Sequence, residues 1–256
     1  MSETTLVLTD LPTLSLLFSA AFIAGMVDAI AGGGGLITVP ALLAAGLPPQ
    51  VALGTNKLQA SFGSGSAMLH FIRADRINVR DCFIGIVWTA LGAGLGAWAV
   101  HLLDTELLRH LIPWLLAAIV LYTLLQPKLG QEDIHARWSS GPFYLVFGLL
   151  IGFYDGFLGP GTGSFWAMAF MLLLGYSLVR ATAYTKVMNF TSNATALLFF
   201  LLAGQVQIVP GLVMGAGQFI GARIGARLVI RKGASFVRPV FICMVLALLI
   251  KLILTG

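Results

Sequence analysis

Apolar stretches of about 20 residues recur along this chain, and each can cross a hydrocarbon core about 30 Å thick. They run roughly over 12–31, 36–46, 50–72, 82–103 and 109–126. After the polar loop QPKLGQEDIHARWSSGP they resume over 141–158, 163–176, 181–203, 208–230 and 236–255. Charged residues make up 10% of the chain, against about 25% in a soluble domain. The period-2 alternation of a β-barrel is absent from the sequence. The pattern predicts an all-α polytopic membrane protein. The first ten residues, MSETTLVLTD, have no basic region and carry Glu3 and Asp10, so the first helix is expected to stay in the mature protein. Cys82 and Cys243 stand alone in apolar runs, with no metal spacing and no disulfide implied. The net charge of +5 reads as a loop bias and not as a nucleic-acid surface.

The two sets of runs are copies. GMVD at 25–28 matches GFYD at 152–155, an offset of 127. Two residues then enter the register and the offset becomes 129, so that Lys57 aligns with Lys186 and GAGLGAWAV (92–100) with GARIGARLV (221–229). Such duplication marks many secondary transporters, which build their site between repeats. If the short runs 36–46 and 163–176 count as crossings, each half has five segments and the halves are inverted. Arg73, Arg76, Arg80, Lys128, Arg137, Arg180, Arg231, Lys232 and Arg238 then share one side, and Arg109 stands on the other. That distribution is what the positive-inside rule asks for. The expected architecture is two homologous inverted repeats, with eight long helices and two short or broken ones, and both termini outside the cytoplasm. The repeats are placed at 1–128 and 141–256, joined by a polar cytoplasmic linker at 129–140. Trp98 and Arg227, equivalent positions, would lie near opposite faces.

Four glycines in a row, Gly32 to Gly35, follow Asp28 and precede a short run. Glycine disfavours helix by about 1 kcal/mol per position, so the helix is expected to break here. Broken backbone at membrane depth is tolerated only where it is buried in protein or lines a wet cavity. The N–H groups that open the next half-helix, near Leu36, form an anion-binding end. The second half breaks in its own way in DGFLGPGTGSFW (155–166), where Pro160 removes a donor and Gly159, Gly161 and Gly163 loosen the chain. Paired interruptions point to a transport site. The glycines of GAGLGA (92–97) and Gly217, Gly221 and Gly225 read instead as close-packing seams.

Two helices carry polar residues at depth. One has Thr55, Asn56, Lys57, Gln59, Ser61, Ser64 and Ser66, the other Thr185, Lys186, Asn189, Thr191, Ser192, Asn193 and Thr195. A lysine at depth disfavours insertion by about 3 kcal/mol, so it is expected to be paired or functional. Lys57 and Lys186 are placed about two turns and one turn inside their helices. One reading pairs Asp28 with Lys57 and Asp155 with Lys186 as structural bridges. The other makes the lysines, with Thr55, Asn56, Gln59, Thr185 and Asn189, a cage for an anion. The break residues Gly32, Gly33, Gly34, Gly35, Gly159, Pro160, Gly161 and Thr162 complete that cage, and Asp28 and Asp155 stabilise the breaks or carry protons. Arg223 and Arg227 are expected to snorkel, and His70, His101, His110 and His135 to lie near interfaces. Phe153, Tyr154, Phe157, Phe165 and Trp166 are read as packing around the second break.

The stretch GMVDAIAGGGGLITVPALLAAGLPPQVALGTNKLQASFGSGSAMLHF resembles the signature half of the TauE/SafE family of sulfite and sulfonate exporters, in its YfcA-like bacterial branch. The glycine run, Pro40, the GLPP turn and the GTNK helix start carry the likeness. GFYDGFLGPGTGSFW and AYTKVMNF resemble the family's second repeat. The resemblance implies a multi-pass transporter of the bacterial inner membrane. It implies a sulfur-containing anion such as sulfite or an organosulfonate as substrate, moved outward by an ion or proton gradient. No enzymatic activity, cofactor or metal is expected. The expected partners are a small anion and the lipid bilayer, with no nucleic acid; a homodimer is left open. An anion channel or an importer of another organic anion is the alternative.

Overall fold

The computed structural model describes residues 10–108, 112, 114 and 135–232. Among these, the chain forms eight α-helices and one 3-10 turn. The helices are α1 (Leu11–Ala31), α2 (Gly35–Ala44), α3 (Pro49–Arg73), α4 (Phe83–His101), α5 (Ser140–Phe157), α6 (Thr162–Leu173), α7 (Leu178–Leu202) and α8 (Ile208–Lys232), with the 3-10 turn Val79–Cys82 ahead of α4. The described residues contain no strand. The expected run 236–255, and all of 109–126 except residues 112 and 114, lie outside the described residues. Among the described residues, three segments are long and apolar enough to cross a membrane, namely Leu11–Ala31, Val79–His101 and Ile208–Lys232.

Local chemistry sets the helix ends. Proline sits in the first turn of α1 and of α3, where its missing N–H would have no intrahelical partner anyway. α1 stops at Gly32, whose positive φ of 77° no β-carbon-bearing residue adopts readily. Positive φ recurs at equivalent positions in the second half. Gly159 answers Gly32 at the offset of 127, and Gly175 answers Gly46 at 129. The change of offset falls inside the short helices, because α2 has 10 residues and α6 has 12. At 1.5 Å per residue, α2 is about 15 Å long, half the hydrocarbon thickness.

Helix directions follow from the close contacts. On α8, Gly217, Gly221 and Gly225 abut Phe18, Phe22 and Met26 of α1 in ascending order, so the two helices run parallel. Gly85, Gly92 and Gly96 of α4 abut Tyr144, Leu149 and Phe153 of α5, also in parallel. α3 runs with α8, since Leu58 meets Gly211 and the Ser66 hydroxyl donates to the Phe219 carbonyl at 2.8 Å. α4 runs with α7, with Thr89 against Met188 and Gly94 against Phe199. α3 and α7 run opposite ways, because Gly54 meets Phe200 while Gly65 meets Phe190. Thus α1, α3 and α8 share one direction, and α4, α5 and α7 share the other.

The glycine seams behave as the sequence predicts, since a Cβ on Gly96 or Gly221 would strike backbone of the neighbouring helix. Their consequence was not predicted. The most extensive helix contacts join α1 to α8 and α4 to α5, across the two halves of the sequence. The packing units are therefore α1, α2, α3 and α8 on one side and α4, α5, α6 and α7 on the other. α4 and α8 are exchanged between halves, so the sequence repeats are not the packed bodies.

Trp98, Arg223 and Arg227 are exposed on the outside of the bundle, as expected of belt and snorkelling residues. His135 is exposed as well. His101 differs: both its ring nitrogens are buried, and it packs edge-on against Phe200 with ring centroids 5.1 Å apart. Trp166 is fully buried in the aromatic cluster around Phe143 and Phe170, and Phe153 stacks on Phe157.

Candidate functional site

The two helix interruptions meet. A Cβ on Gly32 would collide with the backbone of Gly163, and one on Gly35 would press on Pro160. The Ser164 hydroxyl, at the start of α6, donates to the Ala31 carbonyl at the end of α1 at 2.8 Å. Four glycines in a row are thus explained in part by contact: Gly32 and Gly35 face the other break. Gly34 is small for a different reason, since a Cβ there would strike Asp28 and the Ala24 carbonyl.

The charges pair across the halves. The Lys57 ammonium donates to Asp155 Oδ1 at 2.7 Å and also to the Asp155 carbonyl. The Lys186 ammonium donates to Asp28 Oδ2 at 3.0 Å and to the Asp28 carbonyl. This corrects the bridges Asp28–Lys57 and Asp155–Lys186. With α3 and α7 antiparallel and the breaks abutting, each lysine reaches the interruption of the opposite half. The depth also needs correction. α7 starts at Leu178, so Lys186 is the ninth residue of its helix, as Lys57 is of α3. Both lysine Cα atoms lie about 12 Å along the axis from their helix starts.

Helix dipoles account for the arrangement. Asp28 and Asp155 sit in the last turn of α1 and α5, where the helix dipole is negative; the Asp28 carbonyl also accepts from the capping Gly32 N–H at 2.8 Å. Each lysine therefore meets a carboxylate and a helix C-terminal carbonyl together. Asp28 Oδ1 in turn accepts from the Gly34 N–H at 3.3 Å, at the positive start of α2. Asp155 Oδ2 accepts from the Ser192 hydroxyl, and Tyr154 Oη donates to the Pro160 carbonyl at 2.6 Å, which ties down the second break. Both lysines and Asp155 are buried, whereas the Asp28 side chain retains 15% exposure.

Between the breaks lies a cavity of about 30 Å³, room for roughly two waters. Gly32, Gly35, Gly159, Gly161 and Gly163 line it together with Thr162, Asp28, Asp155, Asn56, Ala60, Asn189, Asn193 and Gln218. Asn56 and Ala60 on α3, and Asn189 and Asn193 on α7, present one helical face each, four residues apart. The lysines stand behind the aspartates and do not line the cavity. Gly33, Gly34 and Pro160 do not line it either. Thr55 turns to the bundle end, where its hydroxyl accepts from the Gln207 N–H at 3.0 Å. Gln59 is held by Asn56 Oδ1 at 2.7 Å, which also accepts from Thr38 at 2.6 Å. Thr185 is buried with its hydroxyl unpartnered among the described residues, outside the cavity wall. Ser192 and Asn193 are read from the sequence as polar residues at depth but not assigned to the anion cage, and Gln218 escaped the sequence reading. Asn193 had a signal, as it lies one turn beyond Asn189 on the same face.

Interrupted helices that abut inside a membrane bundle, with buried ion pairs beside a polar cavity, define a transporter-type architecture. The comparisons with known proteins identify which kind. The chain matches the family described as sulfite exporter TauE/SafE over residues 17–252, and it belongs to that family of membrane transporters. It is 48% identical over 244 residues to a probable membrane transporter protein of Haemophilus influenzae, covering 94% of each chain. It is 49% identical over 229 residues to the probable membrane transporter protein YfcA of Escherichia coli K12, covering 90% of this chain and 85% of that one. A probable membrane transporter protein, ORF9, of a Sinorhizobium species is 47% identical over 240 residues, 94% of this chain and 92% of its own. No solved structure matches the chain.

Proposed function

We propose that this protein is a secondary carrier that exports small sulfur-containing anions, such as sulfite or organosulfonates, across the bacterial inner membrane. The observation that carries the reading is the crossed pairing of Lys57 with Asp155 and Lys186 with Asp28, beside a polar cavity at two abutting helix breaks. Inverted repeats fit the antiparallel course of α3 and α7, and of the equivalent pairs α1/α5 and α4/α8. The short helices serve as return strokes: α1 and α3 run the same way, so α2 must come back between them.

The four charges sum to zero. An anion entering the cavity meets carboxylates first, and must draw a lysine away from its aspartate. Protonation of that aspartate removes the competing charge, so anion binding at the lysine is linked to the protonation of its aspartate partner. Transport then proceeds by rocking of the α1–α2–α3–α8 unit against the α4–α5–α6–α7 unit, with the cavity at their boundary.

The test uses the purified protein in sealed vesicles loaded with labelled sulfite, with and without an imposed proton gradient. A carrier accumulates sulfite against its gradient when protons run downhill, and Lys57→Ala and Lys186→Ala lose that flux while still inserting. Flux that never exceeds equilibration marks a channel instead. Normal accumulation in both lysine variants refutes the site.

A further inference from the structure

We propose that Gln218 is a substrate-reading residue, whose carboxamide contacts the oxygens of the transported anion. The inference rests on the anion-carrier reading above and names a ligand that reading does not contain.

Gln218 lies on α8, a helix otherwise chosen for close packing, and it is 2% exposed. Gln218 lines the cavity together with Asp28 and Asp155, and its Oε1 has no hydrogen-bond partner among the described residues. An unpaired buried carboxamide is costly, and such groups in native structures call for an explanation. Two neighbours have been reduced to glycine around it. A Cβ on Gly25 of α1 would strike the Gln218 backbone, and one on Gly63 of α3 would strike its Cγ. The amide thus passes between α1 and α3 to reach the breaks, which a merely space-filling residue does not require.

The repeat equivalent sharpens the point. At the offset of 129, Gln218 corresponds to Thr89, which is fully buried and donates its hydroxyl to the Met188 sulfur at 3.4 Å. One of the two equivalent positions is satisfied internally, and the other is left open toward the cavity. Asn189 agrees with this asymmetry: it is 5% exposed, lines the same cavity, and its Oδ1 is also unpartnered. A carboxamide turned through half a rotation offers N–H donors in place of its oxygen. Sulfite or a sulfonate presents three oxygens in divergent directions. One faces a freed lysine, and the amides of Gln218 and Asn189 receive the others.

The experiment measures sulfite flux against concentration in vesicles bearing the full chain, its Gln218→Leu, Gln218→Asn and Gln218→Glu variants, with thermal unfolding followed in parallel. Gln218→Leu is expected to raise the half-saturating sulfite concentration about ten- to a hundredfold, the range for losing a hydrogen bond to a charged group. Its unfolding midpoint should stay at the wild-type value or rise, since a buried unpaired group has been removed. Gln218→Asn, which withdraws the amide by one methylene, should shift half-saturation in the same direction and covers the case in which the leucine variant fails to insert. Gln218→Glu should weaken sulfite further through like charge. Unchanged half-saturation in the leucine or asparagine variant overturns the assignment, as does tighter sulfite use by the glutamate variant. If the wild-type chain moves none of sulfite, thiosulfate or methanesulfonate, the carrier reading fails and takes this assignment with it. Wild-type flux with indifferent variants sinks the assignment alone.

Discussion

The crossed ion pairs can be tested by the energetics of their separation. Lys57→Met leaves the Asp155 carboxylate, 3% exposed, without its cation. Breaking one member of a buried pair destabilises by about 3–5 kcal/mol, whereas replacing both partners with neutral groups is close to neutral. For a chain of this length 1 kcal/mol moves the unfolding midpoint by about 2–4 °C. Lys57→Met and Asp155→Asn should each lower it by about 6–20 °C, and the double variant should recover most of the loss. The coupling energy of that cycle should reach about 3 kcal/mol, the upper range for contacting residues. Asp28→Asn provides the control. In this structure Asp28 belongs to Lys186, so its loss should add to that of Lys57 and not rescue it. The assay is thermal unfolding of the five purified variants in one detergent at one heating rate, because membrane proteins unfold irreversibly and only matched scans compare. Rescue of Lys57→Met by Asp28→Asn, without rescue by Asp155→Asn, would refute the pairing across halves and restore the pairing within them.

Other consequences are simpler to measure. Gly32→Ala combines a positive φ of 77° with a collision against Gly163, and should abolish recovery of folded protein from membranes. Gly46→Ala has φ of 89° but open space around it, so it should fold with a loss of only about 1–2 kcal/mol, read as a small drop in unfolding midpoint. Tyr154→Phe removes the 2.6 Å bond to the Pro160 carbonyl and should cost about 1 kcal/mol in the same measurement. If each half makes five crossings and the halves are inverted, as proposed, a reporter fused after Gly256 should be active only when it is of a kind that works outside the cytoplasm.

Much of this architecture is visible in the sequence because the relevant signals are local. A proline in a first turn, a glycine past a last turn and a run of glycines each act on the backbone within one or two residues. The helix limits of α3, α5 and α8 and both interruptions follow from them. The register shift between 127 and 129 is visible too, although only the structure assigns the two extra residues to α6. The pairing of Lys57 with Asp155 could not be read, because both aspartates are plausible partners until the directions of α3 and α7 are known. Thr55 misled for a geometric reason. It lies two residues from Lys57, about 200° around the helix, so the two cannot face one cavity. Gln218 was missed because a single amide in a glycine-rich seam has no periodic companion to raise it above packing.

The exchange of α4 and α8 gives the charge pairs a role that neither half could provide alone. Lys57 and Asp28 belong to the packed unit of α1, α2, α3 and α8, while Asp155 and Lys186 belong to that of α4, α5, α6 and α7. Both ion pairs therefore span the boundary between the units, at the point where the interrupted helices touch. Pairing inside each unit would have left the boundary held by apolar contact and by Ser164 on Ala31, and indifferent to charge in the cavity. With the pairs across it, any relative motion of the units must stretch two buried ion pairs, at a cost set by what else is bound there. On the carrier reading proposed above, a proton on an aspartate or an anion on a lysine would lower that cost, so that the boundary would be closed with the cavity empty and loosen when it is occupied.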